Sequence, residues 1–277
     1  MELYNNVSSE VAKLVTERYS TSFSLASRLF EPSVKQHIYA IYALVRIADE
    51  IVDSYQGPDA RQLLADLEKE IYVSMKRGFS TNIVVQAFSQ TASQFSIDKQ
   101  LVKCFFASMA TDADQVTFNQ QQYEDYIYGS AEVVGLMCLK VFVGGDKTRY
   151  NHLKAGARSL GAAYQKVNFL RDMAADQTQL GRYYFPVGSF DSFDETTKDL
   201  ITAEIKTDFD RAAVALLDLP QSSRSAVMAS YRYYTLLLKK LQATPAQALK
   251  TTRVRVPNSQ KLAVLLSGYI RSKLRLS

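Results

Sequence analysis

Gly161-Ala162-Ala163-Tyr164-Gln165-Lys166-Val167-Asn168-Phe169-Leu170-Arg171-Asp172-Met173-Ala174-Ala175-Asp176 is a helix with one face of oxygen-bearing side chains. Gln165, Asn168, Asp172 and Asp176 are spaced 3, 4 and 4, which sets them in a single stripe. Val167, Leu170 and Met173 fall on other faces. A matching stripe stands far upstream. Tyr42, Arg46, Asp49 and Asp53 are spaced 4, 3 and 4 among Ile41, Leu44, Val45, Ile47, Ile51 and Val52. Each stripe carries two aspartates at i and i+4, which repel one another, and aspartate is a poor helix former. The arrangement costs stability unless cations answer it. Mg2+ takes oxygen ligands and is commonly held by one or two carboxylates plus substrate phosphates. Two such stripes facing each other would cage a diphosphate and its metal ions.

A single i, i+4 aspartate pair is also common on a solvated helix face. Two features set these pairs apart: apolar flanks, and an arginine (Arg46 or Arg171) three or one positions before the first aspartate. A buried charge without compensation is costly, so such carboxylates require cations or water.

The rest of the chain limits what surrounds the stripes. Its 277 residues are 47% apolar and 22% charged, which excludes a disordered chain. Cys104 and Cys138 sit among apolar residues and read as reduced core thiols, which fits a cytoplasmic protein. Residues 1–9 lack the basic and apolar regions of a signal peptide, and no apolar run is long enough to span a bilayer. The net charge of +5 is uneven. From Leu219 to Ser277 there are eleven basic residues and no acid, leaving −6 on the first 218 residues. A basic final quarter implies an anionic partner.

All six prolines fall between helix-period stretches. Helices are expected over 8–29, 33–55, 59–77, 82–95, 98–113, 119–143, 147–179, 195–218, 221–242 and 258–274. No alternating strand pattern and no Gly/Ser linker interrupts them, so residues 1–277 read as one all-α domain. The segment 180–194 is a loop rich in aromatics, expected to pack over something. His37 and His152 have no metal-ligand spacing and read as packing or surface residues.

These motifs resemble those of the squalene and phytoene synthase family. Tyr42 to Asp53 resembles the family's first aspartate-rich motif, and Gln165 to Asp176 its second. Gly181-Arg182-Tyr183-Tyr184-Phe185-Pro186 resembles the loop that follows, and Tyr126 to Gly135 the tyrosine-containing central helix. Tyr19 to Phe23 and Arg253 to Pro257 also fit, so the likeness runs in order from about residue 12 to 270. Within the family it is strongest to bacterial phytoene synthases. Glu50 stands where many relatives have aspartate, which keeps the charge.

The resemblance implies a class I isoprenoid synthase bundle around a central cavity. It implies head-to-head condensation of two geranylgeranyl diphosphates through prephytoene diphosphate to phytoene, in carotenoid biosynthesis. Asp49, Asp53, Asp172 and Asp176, with Asn168, would hold Mg2+, or Mn2+ in its place. Ser20, Ser22, Arg46, Gln165, Arg171, Tyr184 and Arg253 would bind the diphosphate. Phe23, Ser27, Tyr39, Tyr42, Ala131, Val134, Gly135, Leu160 and Tyr234 would line the prenyl tunnel, and Tyr126 would assist proton removal or diphosphate departure. Tyr128, two residues on, faces another way and reads as structural. A small Ser27 one turn beyond Phe23 favours a C20 chain over C15.

The same-fold alternative is a squalene or dehydrosqualene synthase acting on farnesyl diphosphate. Squalene formation would consume NADPH; the phytoene reading needs none. A non-catalytic helical scaffold or nucleic-acid-binding module would use the basic C-terminus, but it leaves the matched aspartates unexplained and lacks basic residues interleaved with aromatics. No nucleic-acid partner is therefore expected. The tail from Lys261 reads as a last core helix with a solvated basic end. Its alternative is peripheral contact with an anionic inner-membrane face, where each Lys or Arg contributes about 1 kcal/mol.

Overall fold

The computed structural model describes residues 1–277 except 56, 113–116, 262 and 265–277, and the side chain of Asp112. Among the described residues there is no strand; one parallel bridge joins Thr117 to Tyr183. No helix among them is long and apolar enough to cross a membrane.

Helix α1 (Glu2–Tyr19) starts earlier than expected, tied down by Tyr4, whose hydroxyl donates to the Ser80 carbonyl at 2.9 Å. It then stops inside the expected 8–29 helix. Ser20 is extended (φ −141°, ψ 104°), and its Oγ accepts from the Phe23 N–H at 3.2 Å, capping α2 (Thr21–Ser27). Serine is among the preferred residues for this N-cap role.

Helix α3 (Pro32–Asp49) takes proline in its first turn and is buried on nearly every face, through Ile38, Ala40, Ile41, Ala43 and Leu44. Helix α4 (Ala60–Arg77) ends on Gly78 at φ +80°. Asn82 caps α5 (Ile83–Gln94) by accepting from Val84 and Val85, and α6 (Lys99–Asp112) follows. A reciprocal Asn119/Gln122 capping box starts α7 (Gln120–Ile127), which continues to α8 (Val133–Phe142). Asp146 caps the long α9 (Lys147–Ala175) and Asp194 caps α10 (Glu195–Leu216). Helix α11 (Gln221–Ala243) precedes a short, unexpected α12 (Ala246–Leu249), opened by the Pro245 carbonyl. The expected 258–274 helix begins at 258; most of it, with the basic tail, lies outside the described residues.

Three stretches expected as plain helix widen into π turns: Glu50–Tyr55 after α3, Tyr128–Glu132 between α7 and α8, and Asp176–Leu180 after α9. Such turns recur at functional sites. Here two of the three carry an aspartate of the matched stripes.

The core is in two clusters. One gathers Leu44, Ile71, Phe88, Phe105 and Phe106; the other gathers Tyr123, Phe169, Phe193, Phe209 and Leu237. Leu160 and Tyr231 pack against both. The 180–194 loop contributes Tyr183, Tyr184, Phe185 and Phe193 to the second cluster, so its aromatics do pack inward.

His37 joins α3 to α5, with Nδ1 2.9 Å from Thr91 Oγ1 and Phe95 edge-on at 4.7 Å. Burial lowers its pKa from 6.5. The unfolded chain therefore takes up this proton more readily, and stability falls as pH drops below 6.5 towards the folded value. Thermal melts on either side of that pH should show the slope, and His37→Gln should flatten it. An unchanged slope in the variant would assign it to other groups.

Candidate active site

The two stripes face each other, and each lends residues to the wall of one cavity, Tyr42 from the first and Gln165 and Asn168 from the second. Helix α3 and its π extension bring Tyr42, Arg46, Asp49 and Asp53; α9 brings Gln165, Asn168, Asp172 and Asp176. A π turn closes i→i+5 bonds, so four residues span slightly less than one turn, where in an α-helix they span slightly more. Each aspartate pair therefore keeps roughly one face across the change of winding.

Asp172 sits between two guanidinium forks. Arg171 donates from Nε at 2.9 Å and Nη2 at 2.5 Å; Arg253 approaches with Nε at 2.7 Å and Nη2 at 3.3 Å. Such charge-assisted, two-point pairs are the strong ones. Asp176 is the opposite case. Burial, then the charges of Asp172 and Asp53, push its pKa up to about 7 against the pull of Arg182 and Arg171. Asp53 acts on Asp176 from the other stripe, so the two stripes face each other.

Arg46 is turned onto Glu50 and lies over the Tyr19 ring at 4.6 Å. Tyr42 stacks on Phe23 with centroids 4.8 Å apart, and Ser20 hydrogen-bonds to it. Ser22 lies half-buried in the first turn of α2. Asn168 accepts from the Tyr234 hydroxyl at 3.3 Å, and Tyr234 stacks on Tyr164 at 4.0 Å.

Behind this polar mouth is a cavity of about 310 Å³, lined mainly by apolar and aromatic side chains. Gln165 and Asn168 line it, together with Phe23, Ser27, Tyr42, Ala131, Val134, Gly135, Leu160 and Tyr234. Tyr39 does not. It is buried behind Ser27, its hydroxyl 3.3 Å from Ser27 Oγ. Helix α3 presents Ile38, Tyr42 and Val45 to the cavity, at i, i+4 and i+7, and Tyr39 falls to one side of that row. Ile38 and Val45 are thus wall residues that the sequence reading missed. Cys138 is another, a free thiol whose pKa burial pushes up to about 12.

Tyr126 is away from the described cavity wall. It is buried in an aromatic cluster, 5.3 Å from Tyr184, 5.8 Å from Phe169 and 5.4 Å from Phe118 between ring centroids. Tyr184 stacks flat on Phe169 at 4.1 Å, and its hydroxyl lies 3.4 Å from Arg182 Nη1. Tyr128, by contrast, lies under the Arg158 guanidinium at 5.2 Å.

Arg182 is a further site residue that the sequence reading missed. Its side chain is 6% exposed, and Nη1 is 3.3 Å from Asp53. The available signal was its setting: an arginine between a glycine and three aromatics can stay buried only with a carboxylate to pair.

The donor set suits Mg2+ or Mn2+, which prefer carboxylate and other oxygen ligands. Among the described residues no three acidic, histidine or cysteine side chains converge closely enough to hold an ion by themselves. That fits an ion bound through one or two carboxylates with the remaining ligands from phosphate and water. Burial and the facing carboxylates of Asp172 and Asp53 raise the Asp176 pKa, and a cation between the stripes would answer that charge.

The squalene/phytoene synthase family model matches residues 16–260. The chain is 26% identical to phytoene synthase 3, chloroplastic, of Zea mays, over 93% of its own length and 64% of that protein's. It is 28% identical to the chloroplastic phytoene synthase of an Oncidium hybrid cultivar, over 95% and 68%. The chain thus spans about two thirds of the length of these relatives. Among solved structures, a dehydrosqualene synthase in complex with ligand superposes with a TM-score of 0.80 at 20% identity, covering 98% of each chain. A squalene synthase from Alicyclobacillus acidocaldarius gives 0.72 at 19%, covering 96% of each. At such identities the structural likeness speaks for the helical fold.

Proposed function

Because the chain belongs to the squalene/phytoene synthase family, we propose that it condenses two geranylgeranyl diphosphates head to head, through prephytoene diphosphate, to phytoene. What supports this reading is a pair of facing aspartate stripes whose Tyr42, Gln165 and Asn168 line an apolar, aromatic-walled cavity. A diphosphate would sit in the mouth and its hydrocarbon chain in the cavity.

Asp49, Asp53, Asp172 and Asp176, with Asn168, would hold Mg2+, which when bound supplies Lewis-acid neutralisation of the departing diphosphate. Arg171 and Arg253, already fixed on Asp172, have further N–H groups for phosphate oxygens, and Arg46 would add its own. Ser20, Ser22, Gln165 and Tyr184 would add hydrogen bonds at the rim. The walls of Phe23, Tyr42, Tyr234 and Leu160 would keep water from the carbocation. Tyr126 would act from the aromatic cluster beneath Tyr184, in diphosphate departure or final proton loss. Ser27, fully buried and small on the cavity wall, leaves room for a C20 chain.

The test is incubation with Mg2+ and either geranylgeranyl or farnesyl diphosphate, with and without NADPH, followed by hydrocarbon analysis. Phytoene from the C20 substrate without NADPH is the expected product. A C30 hydrocarbon from farnesyl diphosphate alone would overturn the chain length, and a requirement for NADPH would overturn the reaction's ending.

A further inference from the structure

Arg182 is a cation that the fold places at the aspartate cage and cannot easily withdraw. The π turn after α9 ends at Gly181, whose φ of +66° lets the chain double back. That return sets the Arg182 N–H on the Asp176 carbonyl at 3.1 Å. The side chain then runs beneath the cage. Nη1 lies 3.3 Å from Asp53 Oδ1 and 3.4 Å from Tyr184 Oη, and the residue is 5% exposed. Tyr184 is itself buried and stacked on Phe169. An arginine carries its charge at any working pH. The pair also joins the two halves of the site, since Asp53 belongs to the first stripe and Arg182 stands six residues beyond Asp176, the last of the second.

We propose that Arg182 is a built-in counter-ion of the cage, which competes with divalent metal for Asp53 and so makes metal bind together with diphosphate rather than ahead of it. The inference rests on reading the stripes as a metal–diphosphate site. A metal ion approaching alone must displace or share with a fixed positive charge. A diphosphate brings negative charge of its own, which gives Arg182 a further anionic acceptor and leaves Asp53 oxygen for the ion. Asp53 is 44% exposed on its side chain, so water screens part of the competition. An effect of about tenfold on metal affinity is the scale to expect.

Thermal melts across a Mg2+ titration, with no prenyl substrate, read this out. Wild-type protein should respond to Mg2+ about tenfold more sensitively when inorganic pyrophosphate is present. Arg182→Gln should respond to Mg2+ alone at about tenfold lower concentration than wild type, while Arg182→Lys, which keeps the charge, should stay near wild type. Arg182→Met serves as a second neutral variant if the glutamine form does not fold. Equal Mg2+ response in wild type and the neutral variants would overturn the proposal, as would a wild-type response indifferent to pyrophosphate. Turnover separates the two levels. Active wild type with unaltered metal response in the variants sinks this inference alone. Wild type that neither turns over prenyl diphosphates nor responds to Mg2+ with pyrophosphate sinks the site reading beneath it.

Discussion

Asp172→Asn is expected to abolish hydrocarbon formation, lowering kcat/KM by at least about 10³-fold, or roughly 4 kcal/mol of transition-state stabilisation. Asparagine keeps the shape and one oxygen but removes the charge on which Arg171 and Arg253 both close. Two forks prepared for phosphate would lose their anchor, and the cage would lose one of its four carboxylates. The fold should survive. Asp172 is second only to burial in pushing Asp176 upward, so removing its charge relieves a repulsion inside the site. The melting temperature in chelator should fall by only a few degrees, because the relieved repulsion on Asp176 offsets part of the lost Arg171 and Arg253 pairs, while turnover disappears. That pairing, no activity in a protein that still folds cooperatively, separates a functional carboxylate from a structural one. Full activity in the variant would contradict the site.

The helices and the aspartate stripes were legible because both depend on spacing within one segment. Stripe residues at i, i+3 and i+4 share a face whatever the rest of the chain does. The buried aromatics of 180–194 were legible for a similar reason: side chains of that size seldom stay in water when a core is near. Other features depend on partners far away. The pairing of Arg182 with Asp53 spans 129 residues, and no local pattern announces it. The π turns keep the composition of ordinary helix and change only the hydrogen-bond register. At Ser20, helix-compatible residues on both sides hid a break whose only local sign was serine's liking for an N-cap. Tyr39 was misplaced by a single position on α3, because the cavity face follows Ile38 and Tyr42, a choice made by packing rather than by sequence.

Gly161→Ala should damage stability and activity together, for a reason visible in the helix crossing. A Cβ at Gly161 would meet the Ala131 carbonyl oxygen at 2.7 Å, its carbon at 3.0 Å and Glu132 Cα at 3.1 Å. All three are backbone atoms of the Tyr128–Glu132 π turn, so no side chain can swing aside. Gly135 shows the same crossing from the other side, its Cβ position lying 2.9 Å from the Ala157 carbonyl oxygen. Helix α9 and the π–α8 segment therefore touch backbone to backbone, and Gly161, Gly135, Ala131 and Ala157 all line the cavity. Alanine gains about 1 kcal/mol in helix propensity over glycine, whereas overpacking of this kind costs about 1–3 kcal/mol or more. With an obstacle of fixed backbone the cost falls at the upper end, leaving a net loss of about 2 kcal/mol and a melting temperature lower by about 4–8 °C. The relief must come from moving α9 against the π turn. Gln165 stands one turn beyond Gly161 and Asn168 follows it, so the shift carries the second stripe out of register with the first. A displacement near 1 Å can cost about a hundredfold in rate, and kcat/KM should fall on that scale even below the new melting temperature. Circular dichroism melts and turnover at a temperature where both proteins are folded check the two effects separately. An alanine variant with wild-type stability and turnover would mean that this crossing does not set the spacing of the cage.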